Sequence, residues 1–167
     1  MSARGRCRRL GPVLLPALLG AGTGCVNTDP TVFVDASLAD GTVTVAKGPL
    51  VSTVAGSFTI DFHLGPRAAD TAEVSLGALS LVNADRSTTF VPSLAVVTAP
   101  AFPVRVELDS DVVVTVSFSA QDNQLQTATY DAICGAGSVV ISGAFEDSLR
   151  GTTSTMASGA ITPGGCP

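Results

Sequence analysis

The chain has 167 residues, 46% of them hydrophobic and 14% charged, with four cysteines, one histidine, no tryptophan and a formal net charge of −5 at pH 7. That length suits one domain with a real core. The acidic balance repels phosphate backbones and anionic headgroups, which excludes direct nucleic-acid binding.

In chain order, the first 25 residues, MSARGRCRRLGPVLLPALLGAGTGC, decide the compartment. Arg4, Arg6, Arg8 and Arg9 form a basic n-region, an apolar run follows from Leu10 to Leu19, and small residues lead up to Cys25. This is the layout of an export signal, with an apolar run too short to span a bilayer. Gly22-Thr23-Gly24-Cys25 resembles the lipobox of bacterial lipoproteins, although Gly22 stands where that family usually carries Leu or another aliphatic residue. The resemblance implies a signal peptide over residues 1–24, a lipid on Cys25 that makes the membrane a partner, and a polar tether over residues 25–30. Because Val26 is not Asp, it also implies an outer-membrane destination in a cell envelope that has an outer membrane. The alternative is ordinary signal-peptidase cleavage near Ala21 or Gly24, which leaves Cys25 as a free or paired thiol.

Loss of residues 1–24 removes four of the nine basic residues and none of the 14 acidic ones, leaving five against 14, a net −9. No later segment approaches the length of a transmembrane helix. Cys7 leaves with the signal and Cys25 goes to the anchor, so Cys134 and Cys166 are expected to form a disulfide in an oxidising compartment. A metal or redox role for that pair lacks both a CxxC spacing and a second histidine.

Residues 31–167 read as one domain of strands and turns. Thr31–Ala36 is a first strand, Asp40-Gly41 a turn, Thr42–Ala46 a second strand, and Leu50–Val54 a short edge strand after Gly48-Pro49. The clearest alternation runs from Ser57 to Leu64, with Phe58, Ile60, Phe62 and Leu64 on one face and Ser57, Thr59, Asp61 and His63 on the other. A helical turn is expected over 68–73, then a strand over 74–81 in which Gly77 absorbs a phase shift as a bulge. Residues 83–86 turn the chain into 88–97, interrupted at Pro92. Val104, Val106 and Leu108, then Val112, Val114, Val116 and Phe118, predict a hairpin closed by Asp109-Ser110. Further strands are expected over 125–134, 138–145 and 152–161, with residues 162–167 as a cap tied down by Cys166.

These short strands, spaced by turns, predict an all-β antiparallel sandwich, Ig-like or jelly-roll-like. The segment VVVTVSFSA after the polar turn resembles the bacterial Ig-like modules of the abnormal-spindle/Hydin type, at the level of pattern over residues 57–120. The resemblance implies a sandwich. Tyr130 lies four residues before Cys134 and there is no tryptophan, so the tyrosine corner and Cys–Trp–Cys core of antibody domains are absent.

Little in the chain promises catalysis. His63 lies on the polar face of its strand with Asp61 as nearest same-face neighbour, and a catalytic pair would need a nucleophile from elsewhere. Exposure on a strand, or a binding or pH-sensing role, are its other readings. No G-x-S-x-G elbow or phosphate loop occurs. One histidine without a thiol cluster cannot build the common zinc sites within one chain. The calcium candidate is Glu107, Asp109 and Asp111, with Asp122-Asn123 in a later turn. The same residues suit an ordinary turn, and the EF-hand pattern is missing. Asp70-Glu73 and Glu146-Asp147 offer carboxylates for a glycosidase, without aromatic platforms to hold a sugar.

The expectation is therefore an exported, membrane-tethered, non-catalytic binding or structural module of the cell envelope, with no cofactor. Its partner would be another envelope protein or a polysaccharide. The alternatives are a secreted inhibitor or accessory subunit presenting a loop to an enzyme and, last, a hydrolase.

Overall fold

The computed structural model describes residues 29–120 and 125–167. The expected export signal, Cys25 and most of the expected tether lie outside the described residues, as does the expected Asp122-Asn123 turn. What is described is a sandwich of two antiparallel sheets and one helix. The strands are β1 (Asp35–Ala46), β2 (Thr53–Leu64), β3 (Ala72–Asn83), β4 (Thr89–Val91), β5 (Leu94–Ala99), β6 (Val104–Val106), β7 (Ser110–Ala120), β8 (Val139–Asp147) and β9 (Thr153–Ala157). The helix, α1 (Thr127–Ala136), joins β7 to β8.

One sheet has the order β1-β2-β7-β5 and the other β4-β3-β8-β9, with β6 added beside β3. If β1, β2, β3, β5, β7, β8 and β9 are lettered A to G in chain order, these are the ABED and CFG sheets of an immunoglobulin-type sandwich. Of the two expected forms, the strand order is the Ig-like one.

Alternation builds the core. Phe58, Ile60, Phe62 and Leu64 of β2 and Val114, Val116 and Phe118 of β7 turn inward, as do Val74, Leu79 and Leu81 of β3 and Ile141 and Phe145 of β8. Each such side chain contributes about 1.5–3 kcal/mol when fully buried. Phe62 sits at the centre, its ring 5.9 Å from Phe102 and 5.6 Å from Phe145 in edge-on contacts. The inward residues on β7 are the expected ones, and Gly77 does mark a register shift, between Leu76 and Leu79.

Four expectations about elements are corrected. Thr31–Ala36 and Thr42–Ala46 are not two strands around an Asp-Gly turn. β1 is continuous from Asp35, and Asp40, with φ of 54°, forms a bulge between Ala39 and Thr42. No helical turn forms before β3, where residues 66–70 are turn and bend. Residues 125–134 are mainly helix: Tyr130, Ile133 and Cys134 recur at helical spacing, and Gly137 ends the helix with φ of 70°.

Most consequential, β6 and β7 are not a hairpin. β6 pairs with β3 in one sheet and β7 with β2 and β5 in the other. Residues 107–109 form an arch between layers, with Asp109 at φ 54°. Two alternating strands whose apolar faces meet across a core look, in sequence, like two that lie side by side.

Candidate functional site

The outer face of the β1-β2-β7-β5 sheet carries His63. Alternation puts it outward next to the buried Phe62 and Leu64, and the ladder sets Asp35 of β1 opposite it on one side and Asp111 of β7 on the other. Nδ1 of His63 lies 2.6 Å from Asp111 Oδ1, and Nε2 lies 2.6 Å from Asp29 Oδ2. Asp29 is held by its own turn, since the Thr31 amide donates to its Oδ1 at 2.9 Å. The approach depends on Gly65, where an added Cβ would overlap the Thr31 carbonyl and lie 2.9 Å from Asp29 Oδ2.

Asp61, the expected neighbour, shares the face but pairs in register with Ser37 and Val113. Asp111 becomes legible once β2 and β7 are known to pair. Asp29 is 34 residues away in sequence and carries no such signal.

The electrostatics follow from the contacts. The Thr31 amide and then the His63 ring hold the Asp29 carboxyl down to about 2. The Asp29 hydrogen bond raises the His63 pKa above its ordinary 6.5; partial burial opposes this and Asp111 adds to it. A protonated ring donates from both nitrogens, one to each carboxylate. Neither nitrogen is then left to take a proton from a nucleophile, so the arrangement does not resemble a catalytic triad.

The other candidate carboxylates do not converge on one point. Glu107 pairs with Arg105 at 2.8 Å, Asp109 occupies the arch and Asp111 turns to His63. Among the described residues no three His, Cys, Asp or Glu side chains converge as a metal site. Asp70 accepts from the Thr71 amide, and Glu146 from the Thr153 hydroxyl. Asp147 is buried, accepts from the Leu149 and Arg150 amides and lies 3.9 Å from Arg150 Nε. Asp70 and Asp147 organise turns, and Glu146 braces the β8–β9 pair.

The opposite end of the sandwich is built differently. The β1–β2 loop, residues 47–52, is clamped at its base by paired backbone bonds between Ser52 and Leu125 of 3.0 and 2.7 Å. Lys47 reaches Asp131 of α1 at 3.0 Å and lies over the Tyr130 ring. Above this base Leu50 is 90% exposed and Val51 45%. Sequence reasoning missed this feature by placing a strand over residues 50–54. Cys134 and Cys166 are bonded, as expected, and tie α1 to the C-terminal segment. That segment pairs in parallel with β1 through Val45 and Gly164. No family model, curated protein or solved structure matches the chain.

Proposed function

We propose that the protein is a lipid-anchored, extracytoplasmic binding module of the bacterial cell envelope, without catalytic activity, that presents its β1–β2 loop to a protein partner. The observation that carries this reading is the polarity of the domain. Asp29, where the described chain begins, sits beside His63 at one end of β2, and Leu50 and Val51 stand exposed just before its other end. A strand of 12 residues separates the two by roughly 35–40 Å. An anchor on Cys25 would hold the first end near the membrane and direct the loop outward. Asp29, Asp35, Asp61, Glu107, Asp109 and Asp111 gather at the anchored end, where their charge opposes collapse onto anionic headgroups.

Aliphatic side chains on a clamped loop suit a protein pocket. A polysaccharide would call for aromatic platforms, and the described large apolar side chains that stand exposed include one aromatic, Phe33, at the anchored end. The same loop supports a second reading, an inhibitor or accessory subunit that inserts Leu50 into an enzyme.

Photo-crosslinking in intact cells tests the proposal. A crosslinker at position 50 is expected to capture a defined protein, and one at Val113, on the outer sheet face, is expected to capture none. Cys25→Ser is expected to release the protein from the membrane fraction. Capture from 113 alone rejects the loop, and retention of an unacylated wild type in the membrane rejects the anchor.

A further inference from the structure

The edge strands of the two sheets are finished differently. β1 is bulged at Asp40 and paired with Gly164. β4 and β6 are three residues each. On β9 the hydroxyls of Thr153 and Ser154 are bonded to Glu146 and Arg150. Bulges, short strands and charges are the usual guards of an exposed edge. β5 has none of them. It runs for six residues, Leu94–Ala99, without a charge, a register shift or an internal proline. β7 lies on one side of it, and among the described residues no strand lies on the other. At its centre Val97 is 75% exposed and Val96 37%.

We propose that β5 pairs with the β5 of a second copy of the chain, antiparallel about a two-fold axis at Val97, joining the two four-stranded sheets into one.

The free backbone groups of an edge call for another strand, which sets the kind of occupant. Self-complementarity and charge then point to the chain's own copy. Ala95-Val96-Val97-Thr98-Ala99 reads almost the same in both directions. About Val97, Ala95 faces Ala99, Val96 faces Thr98, a side chain of the same shape, and Val97 faces itself. Opposite residues of an antiparallel pair share a face of the sheet, and this register obeys that rule. Val96 and Thr98 lie beside Phe118 and Val116 on the core side, while Ala95, Val97 and Ala99 lie on the outer side.

Charge selects the same partner. The chain has 14 acidic residues against nine basic ones, so two copies meet most easily where neither is charged. The outward neighbours of β5 are Thr115, Ser117 and Ser119 on β7, then Thr59, Ser57 and Ala55 on β2. All six are neutral. β5 covers only the Thr115–Ala120 part of β7, and Asp111 with Asp61 and His63 lies beyond it.

Each copy has one such edge, so the assembly closes at two. Six residues a side fall well short of the roughly 20–30 of a standard interface, which makes the pair weak and reversible. The axis also turns one copy end for end. If the anchoring proposed above holds, copies therefore pair from facing membranes and not within one.

The test does not depend on the anchor. Sedimentation of the full chain is followed in detergent, with micelles in excess so that each copy occupies its own. The protein mass is expected to double as concentration rises, and to do so at lower concentration when salt screens the like net charges. Val97→Lys and Val97→Glu are each expected to stay monomeric where the wild type is paired. Their circular dichroism should match the wild type, because the side chain stands in solvent. An equimolar mixture of the two variants should recover the dimer, since lysine meets glutamate at the axis. Three results would each overturn the proposal: a wild type that stays monomeric at millimolar concentration, a Val97→Lys variant that still pairs, or a mixture no better paired than its components. Pairing that weakens as salt is added would overturn it too, because it would place charged groups in the interface.

Discussion

Positions 56 and 135 receive the same substitution with opposite consequences. An added Cβ at Gly56 would overlap the Thr42 carbonyl oxygen on one neighbouring strand and the ring edge of Phe118 on the other. The absent side chain is what lets Phe118 lie across β2 and meet Phe58, 6.1 Å between centroids. Gly135, in the last turn of α1, has open space where its Cβ would stand and no positive φ. Gly56→Ala should therefore cost about 1–3 kcal/mol through forced backbone and ring shifts. Gly135→Ala should stabilise by up to about 1 kcal/mol through helix propensity. Urea denaturation of the two variants checks both signs, and a stabilised Gly56→Ala would show that β1 and β2 are not packed as described.

At the scale of elements, what was legible depended on how local the cause was. β2 was readable because each inward residue is large and apolar and each outward one polar, a property of eight consecutive residues. The bulge at Gly77 was readable for the same reason. Asp40-Gly41 misled because a left-handed residue serves a bulge as well as a turn. The helix was missed although Tyr130, Ile133 and Cys134 and the terminal Gly137 marked it. Pairing was the least legible, since alternation specifies which face of β6 or β7 is buried and is silent about the neighbour. The candidate site suffered in the same way, because its carboxylates come from β7 and from a segment before β1. A substitution pair tests the one property of β7 that alternation does specify. Val114 is buried opposite Ile60 and Thr115 faces outward opposite Thr59. Val114→Asp strands a carboxylate in the core, at several kcal/mol against a total stability of about 5–15 kcal/mol, and should abolish folding. Thr115→Asp should change stability by less than about 1 kcal/mol. Circular dichroism and thermal melts separate the two, and a reversed order would place the register one residue away.

Across the whole molecule, β1 and β9 are the edge strands on the same side of the two sheets, and the free edge of β1 would otherwise be left facing solvent. The chain closes it with its own end. Ile161 pairs with Val139, Gly164 pairs with Val43 and Val45, and the Tyr130 hydroxyl donates to the Gly165 carbonyl at 3.1 Å. The Cys134–Cys166 bond locks this seam to α1, which is packed on the core through Tyr130 and Ile133. The bridge spans 32 residues, and a loop of that length corresponds to about 3–4 kcal/mol of denatured-state entropy. For a domain of this size each kcal/mol moves the melting temperature by about 2–4 °C. Cys134→Ser/Cys166→Ser should therefore melt about 6–16 °C lower than the wild type while keeping the sheets, because the seam's backbone bonds and the phenylalanine core do not involve sulfur. Limited proteolysis of the same variant should cut first within residues 158–167, where the seam has lost its lock. Reduction of the wild type should reproduce both effects. An unchanged melting temperature would mean that the pairing of Gly164 with β1 alone closes the sandwich, and a variant without sheet structure would mean that the seam is needed to form the fold and not only to hold it.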